Sequence, residues 1–445
     1  MKKLPHLAII IGILTLLPNS ITAQQRSIEE VLTIIENQGA RLLNPNTFAK
    51  HFRSKSYDRR TASLTASNDI GGLGRQTTDN AFYIYSPSVE DGFIIVSADK
   101  RMSPVLAYSD TGSINTQDLP DNVKLWLAGY VAEYQNLDQN TTKGINIDGW
   151  VDPLITTLWG QNYPYNNLCP LYNQKDRAVT GCIATAMAQI MNYHHYPDVG
   201  RGTNSYVSDT YGIELNRNFA NTTFHWELLK DSYKDYATNE EINAIADLML
   251  TCGISVNMDY GSISWAYYYR ILLALVDNFG YDPDISFIFK DDMSPDLWHN
   301  TITEELLAER PIIMTGSKAN GEGHAFIIDG YKSDPQDYPY YHLNWGWNGY
   351  ADGYYKMSNM CYNSNPDNAY TKDLAAIVNI KPYDNLSKLD INNDGEINST
   401  DVIAIYNYIN NPENSPCTLQ DVDLNGDDVA NSSDVIMIYN HIVSN

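Results

Sequence analysis

A cysteine that opens a helix is a candidate nucleophile if a histidine can reach it. Cys182 stands in Thr180-Gly181-Cys182-Ile183-Ala184-Thr185-Ala186-Met187-Ala188-Gln189-Ile190-Met191. Apolar residues at 183, 186, 187, 190 and 191 fit one helical face. Gly181 permits a tight turn into the helix, and Pro197 sets its end near Tyr196. The unpaired N–H groups and positive dipole end of such a helix favour a thiolate. The N–H of Cys182 can also face a developing oxyanion. Taken alone, the residue reads equally well as a small buried hydrophobe, so the case depends on a base.

His194 and His195 follow on the same helix, twelve and thirteen residues on, roughly 18 Å away at 1.5 Å per residue. Neither can serve, and both read as surface residues near the helix end. His324 lies in Gly321-Glu322-Gly323-His324-Ala325-Phe326-Ile327-Ile328-Asp329-Gly330-Tyr331, a glycine-rich lead into a buried strand. The next strand is Tyr340-Tyr341-His342-Leu343-Asn344-Trp345-Gly346-Trp347. Antiparallel pairing of the two can bring Asn344 beside His324. An Asn carbonyl on one ring nitrogen fixes the tautomer and turns the other nitrogen to the thiol. Trp345 can shield that bond from water. Gln161, in Trp159-Gly160-Gln161-Asn162-Tyr163-Pro164, can complete an oxyanion hole with the Cys182 N–H. His324 alone reads as well as a core histidine; the set of residues favours chemistry.

A second constellation is acidic. Asp390-Ile391-Asn392-Asn393-Asp394-Gly395-Glu396-Ile397-Asn398-Ser399-Thr400-Asp401 has the spacing of an EF-hand-like calcium loop. Its ligand positions are Asp390, Asn392, Asp394, Glu396 (through its backbone carbonyl), Asn398 and Asp401. The pattern repeats from Asp423 to Asp434, with Asp423, Asn425, Asp427, Val429 (backbone carbonyl), Asn431 and Asp434 at the same positions. Asp428 replaces the turn glycine, so the second loop is expected to bind calcium less tightly. No cofactor is expected for catalysis.

The elements that carry these residues divide the 445-residue chain into four parts. Residues 1–23 have Lys2 and Lys3, an apolar run from Leu7 to Leu17, and Ala23 at a cleavage position. This is a signal-peptide pattern. It implies a secreted or cell-surface protein that passes through the periplasm, with no membrane insertion of the mature chain. Residues 24–148 contain strands at Phe82–Tyr85 and Gly92–Val96 and an amphipathic helix from Leu125 to Tyr134. A polar linker, Asn136 to Gly144, follows. Residues 149–383 hold the nucleophile and base. Residues 384–445 contain eleven acidic residues against one lysine, Lys388, and so carry −10 of the chain's net charge of −25. That charge argues against nucleic acid and anionic membranes as partners. Five cysteines, an odd number, leave at least one unpaired thiol or an intermolecular bridge.

From Gln161 to Pro382 these motifs resemble streptopain and its relatives, papain-clan cysteine peptidases made with a proregion. The resemblance runs through Gly253 to Gly261, Gly323 to Gly330, Tyr341 to Trp347, and Ala376 to Pro382. It implies an α+β fold: a papain-like domain with a helix-rich part and an antiparallel β part. Cys182 would be nucleophile, His324 base, Asn344 orienter, Trp345 shield and Gln161 oxyanion donor. Gly92 to Asp99 and Pro104 to Ser109 resemble the streptopain-inhibitor type of proregion, implying an α+β propeptide that acts as inhibitor and folding aid. The double calcium loop resembles a small all-α dockerin module, implying structural calcium and a cohesin-like partner or surface scaffold. The stretch Tyr260, Gly261, Ser262, Ile263, Ser264, Trp265 resembles a substrate-pocket loop. It is small and polar in streptopain; Trp265 and Tyr267–Tyr269 depart from that pattern and are expected to change preference among protein and peptide substrates.

The expected function is a secreted cysteine endopeptidase made as a zymogen, cut between Gln139 and Trp150. The alternatives are a catalytically silent binding or inhibitor protein on a peptidase fold, and a Cys–His acyltransferase of transglutaminase type.

Overall fold

The computed structural model describes residues 24–42, 64–71, 73, 79–86, 92–137, 147–317, 323–335, 337–357, 372–383, 389–392, 394, 396–424 and 429–444. The signal-peptide reading of 1–23 and most of the linker lie outside them.

In the first part, α1 (Ile28–Leu42) is followed by β1 (Thr65–Ala66), β2 (Phe82–Tyr85), β3 (Phe93–Ser97), β4 (Val105–Ser109) and α2 (Asp121–Gln135). The middle part begins with β5 (Trp150–Val151) and α3 (Cys182–His194), then the hairpin β6 (Thr203–Val207) and β7 (Glu214–Asn218). Two helices, α4 (Asn239–Ser255) and α5 (Arg270–Leu273), precede β8 (Ser286–Phe289) and α6 (Pro295–Leu307). Five strands complete it: β9 (Ile312–Ser317), β10 (Gly323–Asp334), β11 (Asp337–Asn344), β12 (Gly353–Lys356) and β13 (Lys372–Val378). The C-terminal part holds α7 (Ser399–Asn410), α8 (Leu419–Val422) and α9 (Ser432–Ser444). Helices and antiparallel sheet give the expected α+β class.

One eleven-stranded sheet runs β1-β2-β3-β4-β12-β11-β10-β9-β13-β8, with β5 added beside β10. The seam between the first and middle parts is the β4–β12 pair, where Tyr108 faces Tyr354 and Ala107 faces Tyr355. The first part thus adds strands to the edge of the middle part's sheet, where main-chain hydrogen bonds join the two parts.

Period-two alternation sorts the sheet's side chains between two cores. Ala325, Ile327, Ile313 and Ile377 pack toward α3 and α4. Phe326, Ile328, Met314 and Ala376 pack with α6 and α2. Helix α2 differs from its sequence reading, which gave it one apolar face. From Val123 to Tyr134 all residues but Lys124 are buried. The reason is its place between two parts: Tyr130 meets Phe82 of the first part, and Trp126 meets Phe326, Trp345 and Tyr355 of the middle part.

Beneath the seam lies a buried polar cluster. His342 Nδ1 is 2.6 Å from Asp329 Oδ1. The His342 ring meets Tyr354 edge-on, and Tyr354 stacks on Tyr108 of β4. Burial pulls His342 down, but the charge and hydrogen bond of Asp329 outweigh it and leave it raised. Burial pushes the Asp352 carboxyl up to about 7, against the Trp345 N–H and the charge of His342. A raised carboxyl stabilises the fold below its unfolded value, and this contribution is lost as pH rises toward 7. A raised histidine has the same sign. Asp352→Asn is therefore expected to gain melting temperature over the parent between pH 5 and pH 8, by an energy of at most about 3 kcal/mol. Parallel thermal unfolding at the two pH values checks this; a constant offset would contradict it.

Candidate active site

Cys182 is the first residue of α3, and Gly181 precedes it at φ +87°. A Cβ at Gly181 would lie 2.8 Å from the Met258 side chain and 3.2 Å from the Ser264 carbonyl oxygen. Backbone conformation and space therefore both demand glycine there. The helix ends at His194, with His195 in the left-handed conformation, two residues before the expected limit at Tyr196. His195 is exposed, whereas His194 corrects the surface reading. It is half-buried, its Nδ1 sits 3.1 Å from the Tyr281 hydroxyl, and burial pulls it down to about 4.

The Ala325 N–H donates to Cys182 Sγ at 3.4 Å. The residue just before Ala325 is His324, which pairs with Gly316 of β9. The topology thus brings the start of β10 onto the start of α3, across 143 positions of sequence. Burial pushes the Cys182 thiol up; the N–H groups of Ala325, Ile183 and Cys182 itself pull it down. Burial thus favours the thiol, while the N–H donors around the sulfur favour a thiolate. Cys169 and Cys252 are fully buried, and burial pushes Cys169 up to about 12 and Cys252 higher still. Cys169, Cys182, Cys252 and Cys417 are all free thiols; Cys361 lies outside the described residues.

Gln161 is buried, and its carbonyl accepts the Thr180 N–H at 3.1 Å, two residues before the nucleophile. The Asn348 N–H in turn donates to the Trp159 carbonyl. This loop is clamped against the segment that leads into Cys182.

Asn344 differs from its expected contact. It pairs with Ile327, three residues along β10 from His324. Its Nδ2 donates to the Thr157 carbonyl at 2.9 Å and to Gln189 Oε1 at 3.3 Å. Its Oδ1 accepts from Gln189 Nε2 at 3.1 Å and from the Gly346 N–H at 3.1 Å. Gln189 offers both a donor and an acceptor, and it draws the amide toward α3 rather than His324. Trp345 is fully buried between Trp126, Phe326 and Tyr355, in the core shared with the proregion. Gln189 and Thr157 were not singled out from sequence. A glutamine amid Ala186, Met187, Ala188 and Ile190 was the available signal, since a buried amide needs partners.

Tyr260 and Ser264 of the expected substrate loop are buried, with Ser264 Oγ donating to the Val179 carbonyl at 2.7 Å. They anchor the loop, while Ile263 and Trp265 are exposed.

The chain matches the peptidase C10 family model over residues 159–355. It is 32% identical to streptopain of Streptococcus pyogenes over 317 residues, which are 65% of this chain and 77% of streptopain. The chain belongs to the peptidase C10 family. This is a family of cysteine peptidases, and the Spi protease inhibitor model matches residues 44–134, within the part that extends the catalytic sheet. The dockerin type I model matches residues 388–443. A thiol protease/hemagglutinin, PrtT, of Porphyromonas gingivalis is 28% identical over 372 residues, 76% of this chain. The chain spans only 41% of that relative's length. Among solved structures, a prointerpain A fragment of Prevotella intermedia superposes with a TM-score of 0.61 at 30% identity. It covers 72% of this C10 chain and 99% of the fragment.

In the dockerin-type part, Asp401 and Asp434 are fully buried and close their loops in the same way, with one bond equivalent and the other displaced by one position. Asp401 accepts the Asn392 and Asn398 N–H groups; Asp434 accepts those of Leu424 and Asn431. The Asp394 N–H meets both Asp390 Oδ1 and Asn392 Oδ1, turning those oxygens inward together. Among the described residues no three His, Cys, Asp or Glu side chains converge on one point. The donor set of the first loop is nevertheless all oxygen, which fits a hard cation such as calcium. Asn425, Asp427, Gly395 and Asp428 lie outside the described residues.

Proposed function

We propose that this chain is the precursor of a secreted cysteine endopeptidase in which Cys182 is the nucleophile and His324 the general base. The observation that carries the reading is Cys182 Sγ at a helix start, 3.4 Å from the amide that follows His324. The Cys182 thiolate attacks the peptide carbonyl, and the Cys182 N–H and the Gln161 side chain hold the oxyanion. His324 protonates the leaving amine, and water then hydrolyses the thioester. Asn344 acts as a positioning residue by tying β11 to α3. The proregion, residues 24–148, serves as inhibitor through the β4–β12 seam, and residues 149–383 are the catalytic unit. Processed protein should hydrolyse casein and short peptide amides; amide crosslinking without hydrolysis would overturn the reading.

Secretion through residues 1–23 belongs to the same proposal. Among the described residues no helix is long and apolar enough to cross a membrane. Residues 384–445 would bind structural calcium and dock to a cohesin-like protein. Asp390, Asn392, Asp394, Glu396, Asn398 and Asp401 would hold the first ion, and Asp423, Asn425, Asp427, Val429, Asn431 and Asp434 the second. Calcium there would neutralise crowded carboxylates and lock the loops. Chelation is expected to lower the melting temperature of this part alone and leave hydrolysis of a short amide unchanged. Calorimetry with and without chelator checks it; an unmoved transition would contradict calcium binding.

A further inference from the structure

The segment after Gly261 carries its apolar groups on the wrong side for a core. Ile263, Trp265, Tyr267 and Tyr269 are 81%, 43%, 54% and 48% exposed, at every second position. Ser264, Ala266, Tyr268 and Arg270 alternate with them and are more covered. The exposed rings form a ladder. Trp265 meets Tyr267 edge-on with centroids 5.3 Å apart, and Tyr267 stacks on Tyr269 at 5.5 Å. The Arg270 guanidinium lies 5.7 Å from the Tyr269 ring and closes the far end.

The near end of this ladder is the wall of the active site. The Asp259 and Trp265 backbones bond to each other, and Ser264 Oγ binds the Val179 carbonyl. The Ser264 carbonyl oxygen sits 3.2 Å from where a Cβ on Gly181 would be, next to Cys182. A substrate chain lying across Cys182 and leaving over this wall must run along the rings. The four outward positions carry no charge, and the nearby Asp259 carboxylate is turned inward onto Thr210. Same-face side chains of an extended peptide recur at roughly 6.6 Å, close to the ring spacing. A polyproline helix repeats its faces at roughly 9 Å and matches less well.

We propose that Trp265, Tyr267 and Tyr269 form an extended subsite for unfolded polypeptide, taking aromatic or aliphatic side chains at alternate positions several residues from the scissile bond. The proposal rests on Cys182 being the peptidase nucleophile. It makes the enzyme selective for long, apolar, unstructured chains over short ones.

The test uses processed enzyme and two substrate sets. One is a short peptide amide that ends before the ladder. The other is a series of long peptides with one scissile site, carrying Phe or Ser at alternate remote positions on either side of it. Parent enzyme should prefer the Phe series on one side by about tenfold or more in kcat/KM. The Tyr267→Ala/Tyr269→Ala variant should lose most of that preference and keep the short-amide kcat/KM within about twofold. No preference in the parent, or a preference that survives in the variant, overturns the subsite. If the double variant is damaged on the short amide too, Tyr267→Ser alone is measured by the same ratio. Failure of the parent on every substrate would instead overturn the peptidase reading.

Discussion

Cys182→Ala is expected to abolish peptide hydrolysis and to leave the proregion attached. Removing the thiol removes the group that forms the thioester, and losing the nucleophile of such a unit costs on the order of 10⁶-fold in kcat. The fold should survive, because Cys182 is only partly buried and the contact of its Sγ with the Ala325 N–H is long, at 3.4 Å. Its melting temperature should stay within a few degrees of the parent. Gel mobility and N-terminal sequencing of the secreted variant read the second half of the prediction. Release of the proregion at the parental rate would show that another protease does the cutting, and retained hydrolysis would remove Cys182 from the chemistry.

The second large effect is expected at Trp126. This side chain belongs to the proregion, is 2% exposed, and lies among Phe326, Trp345 and Tyr355 of the catalytic part. Its Nε1–H donates to the Tyr130 hydroxyl. That hydroxyl sits 2.9 Å from the Leu106 carbonyl and 2.8 Å from the Lys356 carbonyl, on the two strands of the seam. Its single hydrogen serves one carbonyl at a time. Trp126→Ala removes the ring and loosens the hydroxyl together, and such truncations cost about 3–5 kcal/mol. To the extent that this falls on the seam, the proregion is held on the order of 10²–10⁴-fold less tightly. The variant precursor should show early processing and latent activity, with a lower melting temperature. A precursor that stays silent and processes at the parental rate would place the inhibition elsewhere.

Helix α3 and strand β10 were legible in the sequence because their apolar residues follow clean periods and are bounded by glycine and proline. His324 is the histidine that the glycine-rich strand lead offers, since a rigid helix keeps His194 and His195 far from Cys182. The register of β10 on β11 was not. An irregularity between Ile328 and Gly330 shifts the pairing, and one residue of slip decides which side chains are neighbours. Asn344 therefore meets Gln189, a contact no local pattern announces. Helix α2 misled for a related reason: a helix trapped between two parts of one chain buries all its sides, and the second surface is invisible in its own periodicity. The calcium-type loops were legible through repetition, but not the bonds by which Asp401 and Asp434 close them.

The central claim concerns one sulfur. Processed protein is treated with an epoxysuccinyl peptide, and the labelled residue is identified by peptide mass spectrometry alongside the remaining casein hydrolysis. The account predicts stoichiometric label on Cys182 alone, loss of hydrolysis in step with labelling, and slow labelling of the unprocessed chain, whose thiol is held up by burial. Label on Cys169, Cys252, Cys361 or Cys417 that tracks the loss of activity, or full labelling of Cys182 with hydrolysis intact, would contradict it.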